Sequence, residues 1–192
     1  RFIEQSAFGL SGATFWSCGN GQILEKGQSL AEKEKVSVDV LDNSRFRFGF
    51  QSYSLRHFVD TNTFAIETDK LGLRFVEVYK GHLSIDSSDE KIASFKRVLD
   101  KIKVKINAFG VEVFSANHMA NEKVFQFGQK LGIENLSADP TKDSFDSLQK
   151  LVQQYNIRIA IHNHGPEDDR WQRPEWILES VKNLDPRIGA CV

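Results

Sequence analysis

The run IRIAIHNHGP concentrates more chemistry than any other stretch of this chain, in His162, Asn163 and His164. Imidazole can ligate a metal, hydrogen-bond in either direction, and move a proton near neutral pH. The apolar residues of 157–161 ahead of these side chains have the β-branched character of a buried strand. Gly165-Pro166 then stops the strand. Three polar side chains are thereby expected at the carboxyl end of a strand, where parallel α/β folds place their chemistry. Other expected strand ends carry Gln51, Glu77, His118 and Asp139. Glu77 interrupts the apolar run LRFVEV, and a carboxylate is costly to bury unpaired. It is therefore either a substrate-facing acid or a paired structural one. His118 follows Phe114-Ser115-Ala116-Asn117 and reads as a pocket loop or a solvated loop. Asp139, ahead of Pro140, reads as a site residue or a turn cap. Glu167, Asp168 and Asp169 read as a solvated acidic loop. Trp171 and Trp176 read as helix-to-sheet packing, with the floor of a sugar pocket as the alternative.

The elements that must position these residues begin near Arg45. Strands are expected at 47–51, 73–78, within 104–113 with a break near Gly110, up to Asp139-Pro140, at 157–161 and at 188–192. Helices separate them: a poorly patterned one at 57–70, then amphipathic ones opened by Ser88, at 121–130, from about Asp143, and from Pro174. The run Lys70-Leu71-Gly72 before the second strand recurs as Lys130-Leu131-Gly132 before the fourth. Regular alternation requires a parallel sheet with right-handed crossovers. Nearly continuous apolar strands imply burial on both faces. An open doubly wound sheet and a closed eight-stranded barrel both satisfy this. No glycine-rich phosphate loop follows the first strand, which disfavours dinucleotide binding. Polar residues converging from many strand ends are barrel behaviour.

The chain has 192 residues, enough for one domain. Its net charge of −1 gives no electrostatic footprint for nucleic acid. No apolar run approaches the roughly 20 residues of a membrane span. Cys18 and Cys191 lie far apart without metal or disulfide spacing, and Cys191 reads as a small core residue. Residues 1–20 resemble the tail of a twin-arginine export signal, which places the protein in the periplasm or cell envelope, with a cytoplasmic location as the alternative. Cys18 is a candidate lipid attachment site, although the residues before it fit that pattern poorly. Residues 21–44 read as a linker, with at most a short strand at 36–40.

The ordered set GFQSYSLR, LGLRFVEVY, INAFGVEVFSANH, LGIENLSADP and IRIAIHNHGPED resembles the xylose-isomerase-like barrel superfamily, in its sugar phosphate isomerase/epimerase branch. The resemblance covers 45–192. It implies a (β/α)8 TIM barrel, truncated here after about six strands. Members of the family bind a divalent metal, often Mn²⁺, through a carboxylate ending strand five, an Asp after strand six, a His on strand seven and a Glu on strand eight. They move protons next to a carbonyl, with the metal polarising the oxygens and two acids serving as acid and base. The strand-five glutamate falls on His162, so this chain departs from the pattern at its one ligand position. Imidazole suits Zn, Fe or Mn, yet the change removes a negative charge and one carboxylate of the acid/base pair. The family's next ligand, an aspartate, would fall just after Val192.

The resemblance thus implies a metal-dependent sugar or sugar phosphate isomerase or epimerase. Glu77 and His162 are its candidate catalytic residues and His162 its metal ligand, for Mn, Mg or Zn. His118, Asp139, Asn163 and His164 are candidate substrate contacts. The alternatives are a keto-sugar or glycoside lyase or hydrolase on the same barrel, and a non-catalytic sugar-binding barrel. A DNA-repair endonuclease shares the barrel but calls for a basic groove. A homo-oligomer is compatible with all of these. Six strands cannot close an eight-stranded barrel, so the 192-residue piece alone is expected to be inactive and aggregation-prone.

Overall fold

The computed structural model describes residues 47–166 and 169–191. The export segment, Cys18, the linker and the expected strand at 36–40 lie outside the described residues, as do Glu167, Asp168 and Val192.

Six strands form one parallel sheet: β1 (Gly49–Gln51), β2 (Phe75–Val78), β3 (Lys105–Phe114), β4 (Asn135–Pro140), β5 (Arg158–Ile161) and β6 (Ile188–Ala190). Between them run α1 (Thr61–Lys70), α2 (Asp89–Lys101), α3 (His118–Leu131), α4 (Phe145–Tyr155) and α5 (Pro174–Val181). Each strand pairs with its neighbour in sequence, in the order β1 to β6. A doubly wound sheet reverses direction at a switch point, and this one does not. The order is therefore that of a (β/α)8 barrel, of which these are six units.

Period-two alternation assigns the two faces of each strand. Val76 and Val78 of β2, Leu136 and Ala138 of β4, and Ile159 and Ile161 of β5 are buried in the main core. They share it with the apolar stripes of the helices: Ile92, Phe95 and Leu99 on α2, Val124, Phe127 and Leu131 on α3, and Leu148, Leu151 and Val152 on α4. Glu77, Ser137 and His162 occupy the alternate positions and so face the other side.

Local chemistry sets the ends. Ser88 Oγ accepts the Lys91 N–H at 3.3 Å and opens α2. Gly132 ends α3 at φ 75°, a left-handed turn that glycine enters without a Cβ clash.

Two boundaries differ from the sequence expectation for physical reasons. The helix expected from Asn121 begins at His118, because Asn117 Oδ1 caps it by accepting the Ala120 N–H at 3.2 Å. His118 is thus a helix residue and not a loop residue. Asp139 and Pro140 were expected to stop β4 but belong to it. Pro140 is the last residue of the strand, opposite Phe114, and the next ladder bond comes from the Thr141 N–H to Phe114 O at 2.9 Å. A proline at that position withholds no needed donor.

Candidate active site

A cavity of about 500 Å³ lies at the carboxyl ends of the strands, lined by Gln51, Tyr53, Ser54, Glu77, Tyr79, Val111, His162 and Cys191. The strands explain this membership. Gln51 and Glu77 are opposite each other in the β1–β2 register. Tyr53, in the short 3-10 turn Ser52–Leu55 after β1, and Tyr79, directly after β2, line the cavity beside them. His162 directly follows β5, its N–H on Ala138 O at 2.8 Å, and the Cys191 N–H reaches Ile161 O at 2.8 Å. The ends of β1, β2, β5 and β6 therefore deliver an acid, an imidazole, a thiol and two phenols to one space.

Tyr53 and Tyr79 meet edge to face, their ring centroids 5.0 Å apart, and make one wall. The Arg56 guanidinium covers the Tyr53 ring at 4.6 Å. Such aromatic surface suits the C–H faces of a sugar.

Glu77 is the electrostatic centre of the cavity. Burial pushes its carboxyl above the usual carboxylate range, while hydrogen bonds from Ser137 and Gln51 and the charge of His162 work in the other direction. A carboxyl held up in this way is a better proton acceptor than an exposed one. Burial and the neighbouring Glu77 charge push the Cys191 thiol up as well, so it stays protonated. The His162 and His164 rings lie edge to face, with centroids 4.9 Å apart.

The remaining sequence candidates are placed elsewhere. Asn163 is exposed, and neither it nor His164 lines the cavity. His118 is exposed on α3, its Nδ1 2.8 Å from Ser147 Oγ on α4, and does not line the cavity. The Asp139 side chain is 14% exposed and ion-paired with Arg170, while its Oδ1 is buried with no hydrogen-bond partner among the described residues. Fully buried Trp171 donates from Nε1 to Pro140 O at 2.9 Å, so the segment after β5 is pinned over the end of β4. Trp176 is 42% exposed beneath the Arg173 guanidinium.

Sequence reasoning missed Tyr53, Tyr79, Ser137 and Cys191 as neighbours of the site. The signal was present: each lies two residues from another inward-facing position or directly follows a strand. Cys191, expected in the core, is half-buried and lines the cavity instead.

The donors at hand do not complete a metal site. Among the described residues no three His, Cys, Asp or Glu side chains converge on one metal position. Among the described residues no helix is long and apolar enough to cross a membrane.

No protein-family model and no curated protein matches the chain. Solved structures do. One is an uncharacterized protein from Parabacteroides distasonis ATCC 8503, at 23% identity and TM-score 0.66, covering 77% of this chain and 63% of that one. A second is D-psicose 3-epimerase solved in the presence of D-fructose, at 13% identity and TM-score 0.59, covering 74% and 62%. A third is a sugar phosphate isomerase/epimerase from Parabacteroides distasonis ATCC 8503, at 15% identity and TM-score 0.52, covering 74% and 66%. The chain therefore shares the TIM-barrel fold of these structures. It spans less than two thirds of the length of the first two of these structures, 63% and 62%.

Proposed function

We propose that the protein is a sugar isomerase or epimerase that moves a proton on the carbon next to a carbonyl. The carrying observation is Glu77, a half-buried carboxyl aimed into a tyrosine-walled cavity together with His162. In this proposal Glu77 takes the proton from the carbon beside the carbonyl. His162 hydrogen-bonds the oxygen on which negative charge then develops. Glu77 returns the proton to the former carbonyl carbon in an isomerisation, while His162 passes the hydroxyl proton of the first carbon to the former carbonyl oxygen, and one base on one face suffices. An epimerisation needs an acid on the opposite face. The sugar epimerase and isomerase names of the structural neighbours support the class.

A divalent cation remains part of the proposal with His162 as one ligand, and its further ligands would have to come from outside the described residues. No proton step above depends on it. Export through residues 1–20 belongs to the same proposal and rests on sequence alone.

The test is turnover of free ketoses and their phosphates by the full-length protein in deuterated water. Deuterium should enter the product at the carbon beside the carbonyl. Glu77→Gln should lower turnover by about 100-fold or more. Turnover with Glu77→Gln unchanged would sink the proposal. A second reading, a sugar-binding barrel without catalysis, is favoured by His162 standing where the family has a glutamate. It predicts sugar binding by calorimetry with no turnover.

A further inference from the structure

The turn after β2 is shaped to the Tyr79 ring. The Tyr79 N–H donates to the buried Ser52 Oγ at 2.7 Å, and the Tyr79 carbonyl accepts the His82 N–H at 2.9 Å. The backbone on both sides of this side chain is therefore fixed. The ring lies back across the turn, over Gly81. A Cβ built on Gly81 would collide with Tyr79 Cε1 and stand 3.0 Å from Cδ1 and 3.2 Å from Cζ, and these are the three atoms nearest to it. The backbone does not itself call for glycine, since the described glycines with positive φ are Gly72, Gly110 and Gly132. Gly81 is also exposed, so an added methyl group enters no core. The demand for glycine comes from the ring.

That ring is half of the aromatic wall of the cavity. Tyr53 meets it edge to face at 5.0 Å. Arg56 holds the other half, with Nη1 donating to Tyr53 O at 3.2 Å and the guanidinium over the Tyr53 ring. Apart from Glu77, the residues that β1, β2 and the turns after them give the cavity are Gln51, Tyr53, Ser54 and Tyr79, all uncharged near neutral pH. Such a lining matches the C–H faces and hydroxyls of a sugar and supplies no charge to pair with a phosphate.

We propose that Tyr53 and Tyr79 form a subsite for the uncharged tail of a free ketose, the end remote from its carbonyl, and that Gly81 is the positioning residue that sets the Tyr79 ring. This rests on the reading of the cavity as a sugar site with the carbonyl at Glu77 and His162. An aromatic side chain grips a sugar through the ring surface it presents. Displacing the Tyr79 ring therefore removes that contact and leaves Glu77 and His162 in place.

The experiment is calorimetric titration of the full-length protein and its variants with D-fructose and with D-fructose 6-phosphate, beside a thermal melt of each. Gly81→Ala should keep a cooperative melt, because the site is exposed and its backbone accepts alanine. It should weaken D-fructose binding by about 10-fold, and Tyr79→Ala should do so by a similar factor. The double variant should bind no more weakly than Tyr79→Ala alone, since with the ring absent the methyl group displaces nothing. A Tyr53–Tyr79 ring cross-peak in nuclear Overhauser spectra should be present in the parent and lost in Gly81→Ala, a readout that needs no ligand. The parent should bind the 6-phosphate no more tightly than the free sugar. The subsite is overturned by parent-like binding or a retained cross-peak in Gly81→Ala, by additive losses in the double variant, by tighter binding of the 6-phosphate, or by a parent that does not bind D-fructose. The enzyme reading fails separately: this binding pattern without turnover would keep the subsite and remove the catalysis.

Discussion

His82 and His162 are the same residue type held by opposite arrangements. His82 is 4% exposed, stacked on Phe64 with centroids 4.3 Å apart, and engaged at both ring nitrogens. Its Nε2 lies 3.3 Å from Leu55 O, an acceptor, so Nε2 carries the proton. Nδ1 then accepts from Ser52 Oγ at 3.0 Å, while Ser52 Oγ itself accepts the Tyr79 N–H at 2.7 Å. The network closes on itself and ties the turn after β1 to the segment after β2. His162 is half-buried and opens onto the cavity beside Glu77. The difference teaches that a Ser–His contact alone says nothing of catalysis. What distinguishes a site is a polar group with capacity left over, facing space that a ligand can enter.

Removing each imidazole should separate the two most sharply. His82→Ala leaves a cavity beside Phe64 and orphans Ser52, and should cost about 3 kcal/mol in urea unfolding. His162→Ala should change stability by less than about 1 kcal/mol while abolishing turnover. Equal stability losses in the two variants would erase the contrast.

Acid should reveal the same difference. Burial holds the His82 imidazole below its usual range. Between its folded and unfolded values the unfolded chain binds more protons. Stability from His82 is therefore present above about pH 6.5 and lost as pH falls through the folded value, with a slope of at most about 1.4 kcal/mol per pH unit. Unfolding midpoints measured from pH 7.5 to 5 should fall, and His82→Gln should flatten that slope. An unchanged slope in His82→Gln would assign the acid loss to other groups.

Much of the scaffold was legible because burial writes a period into sequence. The strand at Ile159 and Ile161 and the helix carrying Leu148, Leu151 and Val152 announce themselves by alternation and by a helical stripe. Alternation alone does not give strand order, since it serves an open doubly wound sheet too; the converging strand-end residues and the resemblance pointed to the barrel, and pairing from β1 to β6 agrees. Glu77 and His162 stood out as polar residues at apolar strands. Cys191 beside them did not, because its place in the cavity depends on where β6 ends against β5, which no local pattern encodes. His82 was missed for a related reason: it sits outside any strand or helix, and it stacks on Phe64 of α1, another segment.

A smaller effect tests the cavity side. The Glu77 carboxyl is raised by burial, so the folded state holds its proton more tightly than the unfolded chain does. Its contribution is fully present below the unfolded value and lost as pH rises through the folded one. Glu77→Gln should therefore stabilise the protein by about 1 kcal/mol near pH 8, with the gain vanishing in acid. A destabilised Glu77→Gln at pH 8 would show that the carboxylate is held by its partners more strongly than burial opposes it.

The smallest expected effect belongs to His118. Ser147 Oγ accepts from Asn121 Nδ2 at 3.0 Å and so donates to His118 Nδ1 at 2.8 Å. Asn121 is the hub, 2% exposed, with Nδ2 also on Ser115 O at 2.7 Å and Oδ1 on the Ser115 N–H at 3.2 Å. His118 only covers the end of this network from the surface, and water can replace it. His118→Ala should cost about 0.5 kcal/mol, against about 2 kcal/mol for Asn121→Ala, and should leave kcat/KM unchanged. A tenfold fall in kcat/KM in a fully folded His118→Ala would move His118 to the substrate. The contrast between closed networks and the open cavity would then have to be redrawn around α3.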